Sequence, residues 1–130
     1  MMRPLGNHIH AAVLRAVAGQ ADVAQVGVGQ DGHSIKNREK PIMIVEEIRS
    51  TDWASATFLG ATHEFDLRFE GERADVDIAL QKLAARLPEC NIPIAGHIVA
   101  EIAVTFGIEH ASNANMVAKS LTVNVLTIID

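Results

Sequence analysis

The chain has a single cysteine, Cys90, so no disulfide can form within it. A lone thiol reads most simply as a reducing compartment. There is no excess of basic residues: the formal net charge is −5 at pH 7. Nonspecific nucleic-acid binding needs a basic face that releases phosphate counterions, so that class is disfavoured. No apolar run reaches the roughly 18 residues that a membrane helix needs. The opening residues, Met1-Met2-Arg3-Pro4-Leu5-Gly6-Asn7-His8, hold no apolar stretch of the signal-peptide kind. These absences read as a protein that is cytoplasmic when made, with no membrane partner. No internal repeat, low-complexity segment or linker divides the chain, and residues 1–130 match one domain in length. Its 48% hydrophobic and 21% charged residues are ordinary for a soluble globular protein.

What is present is core patterning. Leu5, Ile9, Ala12, Val13, Ala16 and Val17 recur at helical spacing, which predicts a helix from Leu5 to Ala18 with Gly19 as its stop. Residues 19–40 are glycine-rich and irregular, with room for a short strand at Val26–Val28. Ile42-Met43-Ile44-Val45 opens a strand running to Ile48, and its unbroken apolar run suits cover on both faces. Ser50–Gly60 reads as a connection holding Trp53 and Phe58. His63–Glu70 alternates strictly. Phe65, Leu67 and Phe69 point to a dry face, and Glu64, Asp66, Arg68 and Glu70 to a wet one. Val76, Ala79, Leu80, Leu83, Ala84 and Leu87 form a second helical stripe, with Pro88 just beyond it.

After a loop at Pro88–Gly96, Ile98, Ala100, Ile102, Val104 and Phe106 alternate with Val99, Glu101, Ala103 and Thr105 as a long strand. Glu109–Asn115 reads as a loop tip. Leu121, Val123 and Val125 start the last strand on one face, while Ile128 has the opposite parity, which calls for a bulge near Leu126. The sum is α-β-β-α-β-β. That order predicts an α+β fold: a mainly antiparallel sheet of about four to five strands with two helices packed on one face.

No element carries a chemical signature. Gly27-Val28-Gly29-Gln30-Asp31-Gly32 matches the dinucleotide fingerprint, whose third glycine must open a helix. Here His33 to Pro41 show no helical stripe, so the segment reads as a glycine loop and no cofactor is expected. His8 and His10 are two apart on a helix and point to different faces. His63, His97 and His110 lie on separate elements with no Cys or carboxylate at ligand spacing, so no metal is expected, and His63 and His97 read as edge or interface residues. Cys90 reads as a small packing residue, since no histidine pairs with it to activate it. Glu46 and Glu47 are neighbours on a strand, face opposite ways and cannot form an acid–base pair. No catalytic residue remains.

The candidate contact residues are of three kinds. Lys36, Arg38 and Lys40 form the densest basic spot, with Ile35 beside it as a further contact candidate, suited to an acidic protein partner. Trp53 and Phe58 are large aromatics able to cap the core or anchor a partner. Glu64, Asp66 and Arg68 form a solvated or interfacial sheet face.

Several stretches together carry a resemblance. They are Leu5-Gly6-Asn7, Pro41-Ile42-Met43-Ile44-Val45, Thr62-His63-Glu64-Phe65-Asp66-Leu67-Arg68-Phe69, Ala79-Leu80-Gln81-Lys82-Leu83 and Ile94-Ala95-Gly96-His97-Ile98-Val99. With the segment order, and over nearly the whole chain, they resemble the tail terminator (tail-completion) family of long-tailed phages and phage-derived gene transfer agents. The exit Arg68-Phe69-Glu70-Gly71 departs from the more aromatic, serine-ending form expected there.

The resemblance implies a non-enzymatic subunit of a homo-oligomeric, hexameric ring. The ring caps the tail tube, meets the tube protein on one side and the head-side connector or stopper on the other, and lets DNA pass without sequence-specific binding. Assembly would be cytoplasmic and the finished location the tail or neck of the particle. Two other readings stay open. One is another neck protein of the same particle, a stopper or adaptor. The other is a small ligand-binding or enzymatic α+β domain, which should show a concave site with convergent polar groups.

Overall fold

A computed structural model describes residues 6–25, 40–111 and 115–130. The elements are α1 (Gly6–Ala21), β1 (Ala24–Gln25), β2 (Ile42–Ala54), β3 (Leu59–Glu72), α2 (Arg73–Arg86), a short 3-10 turn (Leu87–Glu89), β4 (His97–Ala111) and β5 (Met116–Ile129). The five strands form one sheet in the order β1-β2-β3-β5-β4. Only the β1–β2 pair is parallel, through Ala24↔Ile42 and Gln25↔Met43. The α+β class and the element order expected from the sequence are found.

The two helices lie side by side against the inner sheet face. Ile9, Val13 and Val17 of α1 and Val76, Leu80 and Leu83 of α2 meet Met43, Phe65, Leu67, Phe69, Leu121, Val123 and Val125 in the core. On β3 the alternation reads cleanly: Phe65, Leu67 and Phe69 are fully buried.

Helix α1 does not stop at Gly19. It runs to Ala21, and Asp22 takes a left-handed φ of 60° while the Val23 amide donates to the Ala18 carbonyl at 3.1 Å. That is a Schellman termination, in which one left-handed residue after the helix turns the chain back onto the last carbonyls. Helix α2 follows β3 directly. The backbone N–H of Arg73, which has no partner within the helix, donates to the Asn115 carbonyl at 2.7 Å.

Several sequence expectations are corrected. Ser50–Gly60 is not a loose connection: β2 continues to Ala54, β3 begins at Leu59, and only a tight turn joins them. Ser55 closes that turn, its amide donating to the Phe58 carbonyl at 2.8 Å and its hydroxyl accepting from the Phe58 amide at 3.0 Å. Trp53 therefore sits in a strand. The strand β4 extends to Ala111, which shortens the expected loop tip at Glu109–Asn115.

The ladder irregularity foreseen near Leu126 lies on the neighbouring strand. β5 pairs with β3 without a break, and β4 bulges between Val99 and Glu101, opposite Leu126 and Thr127. Parity along β5 is kept because Thr127 takes the buried position and Ile128 the outer one. The β4 bulge also reverses the expected faces at its start: Val99 and Ile102 pack on the core, while Ile98 is 51% exposed. A second β4 bulge falls between Phe106 and Glu109. The expected strand at Val26–Val28 and the glycine pattern at 27–32 lie outside the described residues.

Candidate functional site

The outer sheet face, turned away from the helices, gathers most of the described candidate residues. Alternation on β3 sends Glu64, Asp66, Arg68 and Glu70 outward. Arg49 of β2 reaches across to them: its Nη1 and Nη2 donate to Asp66 at 2.8 and 3.1 Å, and its Nε donates to Glu64 at 2.9 Å. Thr122 of β5 donates to the same Asp66 carboxylate at 3.0 Å. The Asp66 carboxyl is held below the usual carboxylate range, chiefly by its Arg49 hydrogen bond. The Arg49 guanidinium is correspondingly raised by Asp66, Glu64 and Glu47. Arg68 donates to Glu70 at 2.7 Å and also to Glu46.

Glu46 and Glu47 do not face opposite ways, as plain strand alternation predicts. A bulge between Val45 and Glu47 adds one residue to β2. Both carboxylates consequently meet arginines of the same outer face, Glu46 at Arg68 and Glu47 at Arg49. Two arginines then serve five carboxylates, Glu46, Glu47, Glu64, Asp66 and Glu70, so this lattice stays net negative. Its members are partly exposed, so solvent screens them and they contribute little to folding stability. What they fix is the form of the surface.

The other end of the outer face is apolar. Trp53, Gly60, Ile128 and Ile98 fall in one register row across β2, β3, β5 and β4. Trp53 lies over Gly60, where a Cβ would come within 2.8 Å of the indole. Its Nε1 is buried and meets no hydrogen-bond acceptor among the described residues. Phe58, at the β2–β3 turn, is 54% exposed, with Leu59 beside it.

A groove of about 400 Å³ runs between α2 and the β4–β5 ladder, with Leu80, Ala84 and Phe106 among its lining. Its polar rim is spent on itself. Lys119 donates to Asp77 at 2.8 Å and pairs with Glu109 at 3.1 Å, and Arg73 donates to Glu109 at 2.7 Å. Glu109 is held low, chiefly by Arg73, and Lys119 is held high, chiefly by Asp77. Such a rim ties α2 to the sheet.

Of the remaining candidates, Lys40 is exposed and pairs with Asp22 at 3.3 Å. Ile35, Lys36 and Arg38 lie outside the described residues. Cys90 is partly buried and its thiol is pushed up by desolvation, the reverse of an activated nucleophile. Among the described residues, no three His, Cys, Asp or Glu side chains could together hold a metal ion. No described helix is long and apolar enough to cross a membrane.

His63 is not an edge residue: it is 2% exposed, beneath α1. His10 of α1 stands over it with ring centroids 5.3 Å apart, and His8 stands 5.8 Å from His97. Sequence reasoning missed this convergence because it joins three separate elements. The available signal was His63 sharing the parity of Phe65, Leu67 and Phe69.

No protein-family model and no curated protein matches the chain. Among solved structures, a chain of the virion of a native gene transfer agent particle matches it with a TM-score of 0.65 at 13% identity. The match covers 98% of this chain and 99% of that one. The likeness shows that the two chains share a fold from end to end.

Proposed function

We propose that this chain is a structural protein of a phage-like particle. Within it, the chain is a subunit of a hexameric ring that caps the tail tube, joins it to the head-side connector and lets DNA through its lumen. The observation that carries the reading is the end-to-end match with a gene transfer agent virion chain, which leaves almost no residue of either chain over for a further domain. The tail terminator resemblance in the sequence points the same way.

The surface chemistry supports a non-catalytic role. The polar groups around the groove neutralise one another, and the outer face is a pre-ordered, net-acidic lattice. If that face lines the lumen, it repels phosphate and lets DNA slide without being held. A ring needs a heterologous contact between two different patches of each copy. The apolar turn at Phe58 and Leu59 and the basic stretch at Lys36, Arg38 and Lys40 are the patches we assign to it.

The test is the native mass of the purified protein, alone and mixed with the tail-tube protein of its particle. The expected species is a six-copy ring, free or on the tube. A chain that stays solitary beside every particle component, or one that turns over a small molecule in a cleft of a single copy, would falsify the reading.

A further inference from the structure

The inner face carries a polar chain that the proposed function does not use. His10 Nε2 lies 3.1 Å from Ser50 Oγ, Ser50 Oγ lies 2.7 Å from His63 Nδ1, and His63 Nε2 lies 3.3 Å from Thr127 Oγ1. Thr127 Oγ1 donates to the Ala61 carbonyl at 3.3 Å.

With both rings neutral, that last bond orders the protons along the chain. With its own hydrogen given to Ala61, the Thr127 hydroxyl accepts from His63 Nε2–H. In neutral His63 the bare Nδ1 then accepts the Ser50 hydroxyl. Ser50 in turn accepts from His10 Nε2–H. Each member has one job, and a proton added at His63 Nδ1 removes the acceptor that Ser50 uses. It also places a charge in a buried site. A second proton on His10 sets two cations with ring centroids 5.3 Å apart.

We propose that the His10–Ser50–His63–Thr127 chain is an acid-sensitive clasp, which holds the N-terminal half of α1 on the sheet when both imidazoles are neutral and loosens it when they take up protons. The clasp does not depend on the particle role.

The surroundings favour this sense. Around the pair stand His10 on α1, Ser50 and Asp52 on β2, His97 on β4 and Thr127 on β5. His63 is held below the ordinary imidazole value by burial first, then by His10 and His97, while Asp52 acts weakly the other way. His10 is held low by burial. An unfolded chain with ordinary imidazoles binds protons at higher pH than the folded one. Stability is therefore complete above about pH 6.5 and is lost as pH falls through that value toward the folded one. Ser50 lies exposed on β2, so water reaches the chain there without global unfolding.

The experiment is amide hydrogen exchange on the intact protein between about pH 7.5 and about pH 5.5, corrected for intrinsic rates. We expect the opening constant for α1 amides from Ile9 to Val13 to rise about tenfold or more relative to α2, since each proton contributes at most about tenfold per pH unit. His63→Gln, neutral throughout, should remove most of that rise. Equal rises in α1 and α2, or a variant responding as fully as the parent, would overturn the clasp. If the variant does not fold, the histidine ring signals of the parent decide: His63 titrating well below the ordinary imidazole value of about 6.5 supports the clasp, and His63 titrating at or above it refutes it.

Discussion

Arg49 and Asp66 meet through two parallel hydrogen bonds, at 2.8 and 3.1 Å, two register steps apart across the β2–β3 ladder. Asp66 is thereby easier to ionise in the folded chain than in the unfolded one. Its contribution to stability is present above the unfolded value near pH 4 and is lost as pH falls through the lower, folded one. Arg49→Met should unfold at lower urea than the parent at about pH 7, and the gap should close at about pH 2, where the carboxylates are protonated. A gap of equal size at both pH values would mean that the arginine acts by packing alone.

Leu83 is fully buried in the seam between α2 and the sheet. Leu83→Ala should cost about 2–5 kcal/mol in denaturant titration, because the neighbours only partly close the cavity. Leu83→Asp should leave no cooperative transition, since it buries an unpaired charge.

Two glycines should respond in opposite senses. A Cβ at Gly60 would meet the Thr127 backbone oxygen at 2.1 Å and the Trp53 ring at 2.8 Å. Gly60→Ala should therefore destabilise by about 1–3 kcal/mol and shift the tryptophan emission. Gly19 lies within α1, and a Cβ there meets nothing within 4 Å. Gly19→Ala should stabilise by about 0.5–1 kcal/mol, measured in the same titration.

The assembly patches should separate folding from association. Phe58→Asp changes an exposed turn residue, so monomer stability should stay within about 0.5 kcal/mol of the parent. Native mass should nevertheless show loss of the ring, and Lys36→Glu should act likewise. Normal assembly of both variants would remove these residues from the interface.

Much of the architecture was legible because period-two and helical stripes report burial directly. Phe65, Leu67 and Phe69, and Val76, Leu80 and Leu83, fall where their spacing put them. The misreadings share a cause. A bulge belongs to a pair of strands, and nothing in Val45-Glu46-Glu47 or Val99-Ala100-Glu101 marks the residue that the partner skips. Hence plain alternation separates Glu46 and Glu47 onto two faces and gives Ile98, in place of Val99, the face of Ile102. Trp53 was set in a loop because Ser50, Thr51 and Ser55 look like turn residues. Glu64, Asp66, Arg68 and Glu70 lie on the outer face, where strict alternation along β3 puts them without knowledge of a partner strand.

Strand β4 forms one edge of the described sheet, and it carries two bulges. A straight apolar border of this length would template fibres whenever many copies crowd together. The two kinks spoil the even spacing that a stray strand would need to zip along it. Copies can thus be concentrated at one place in a cell while their borders stay mutually unreadable.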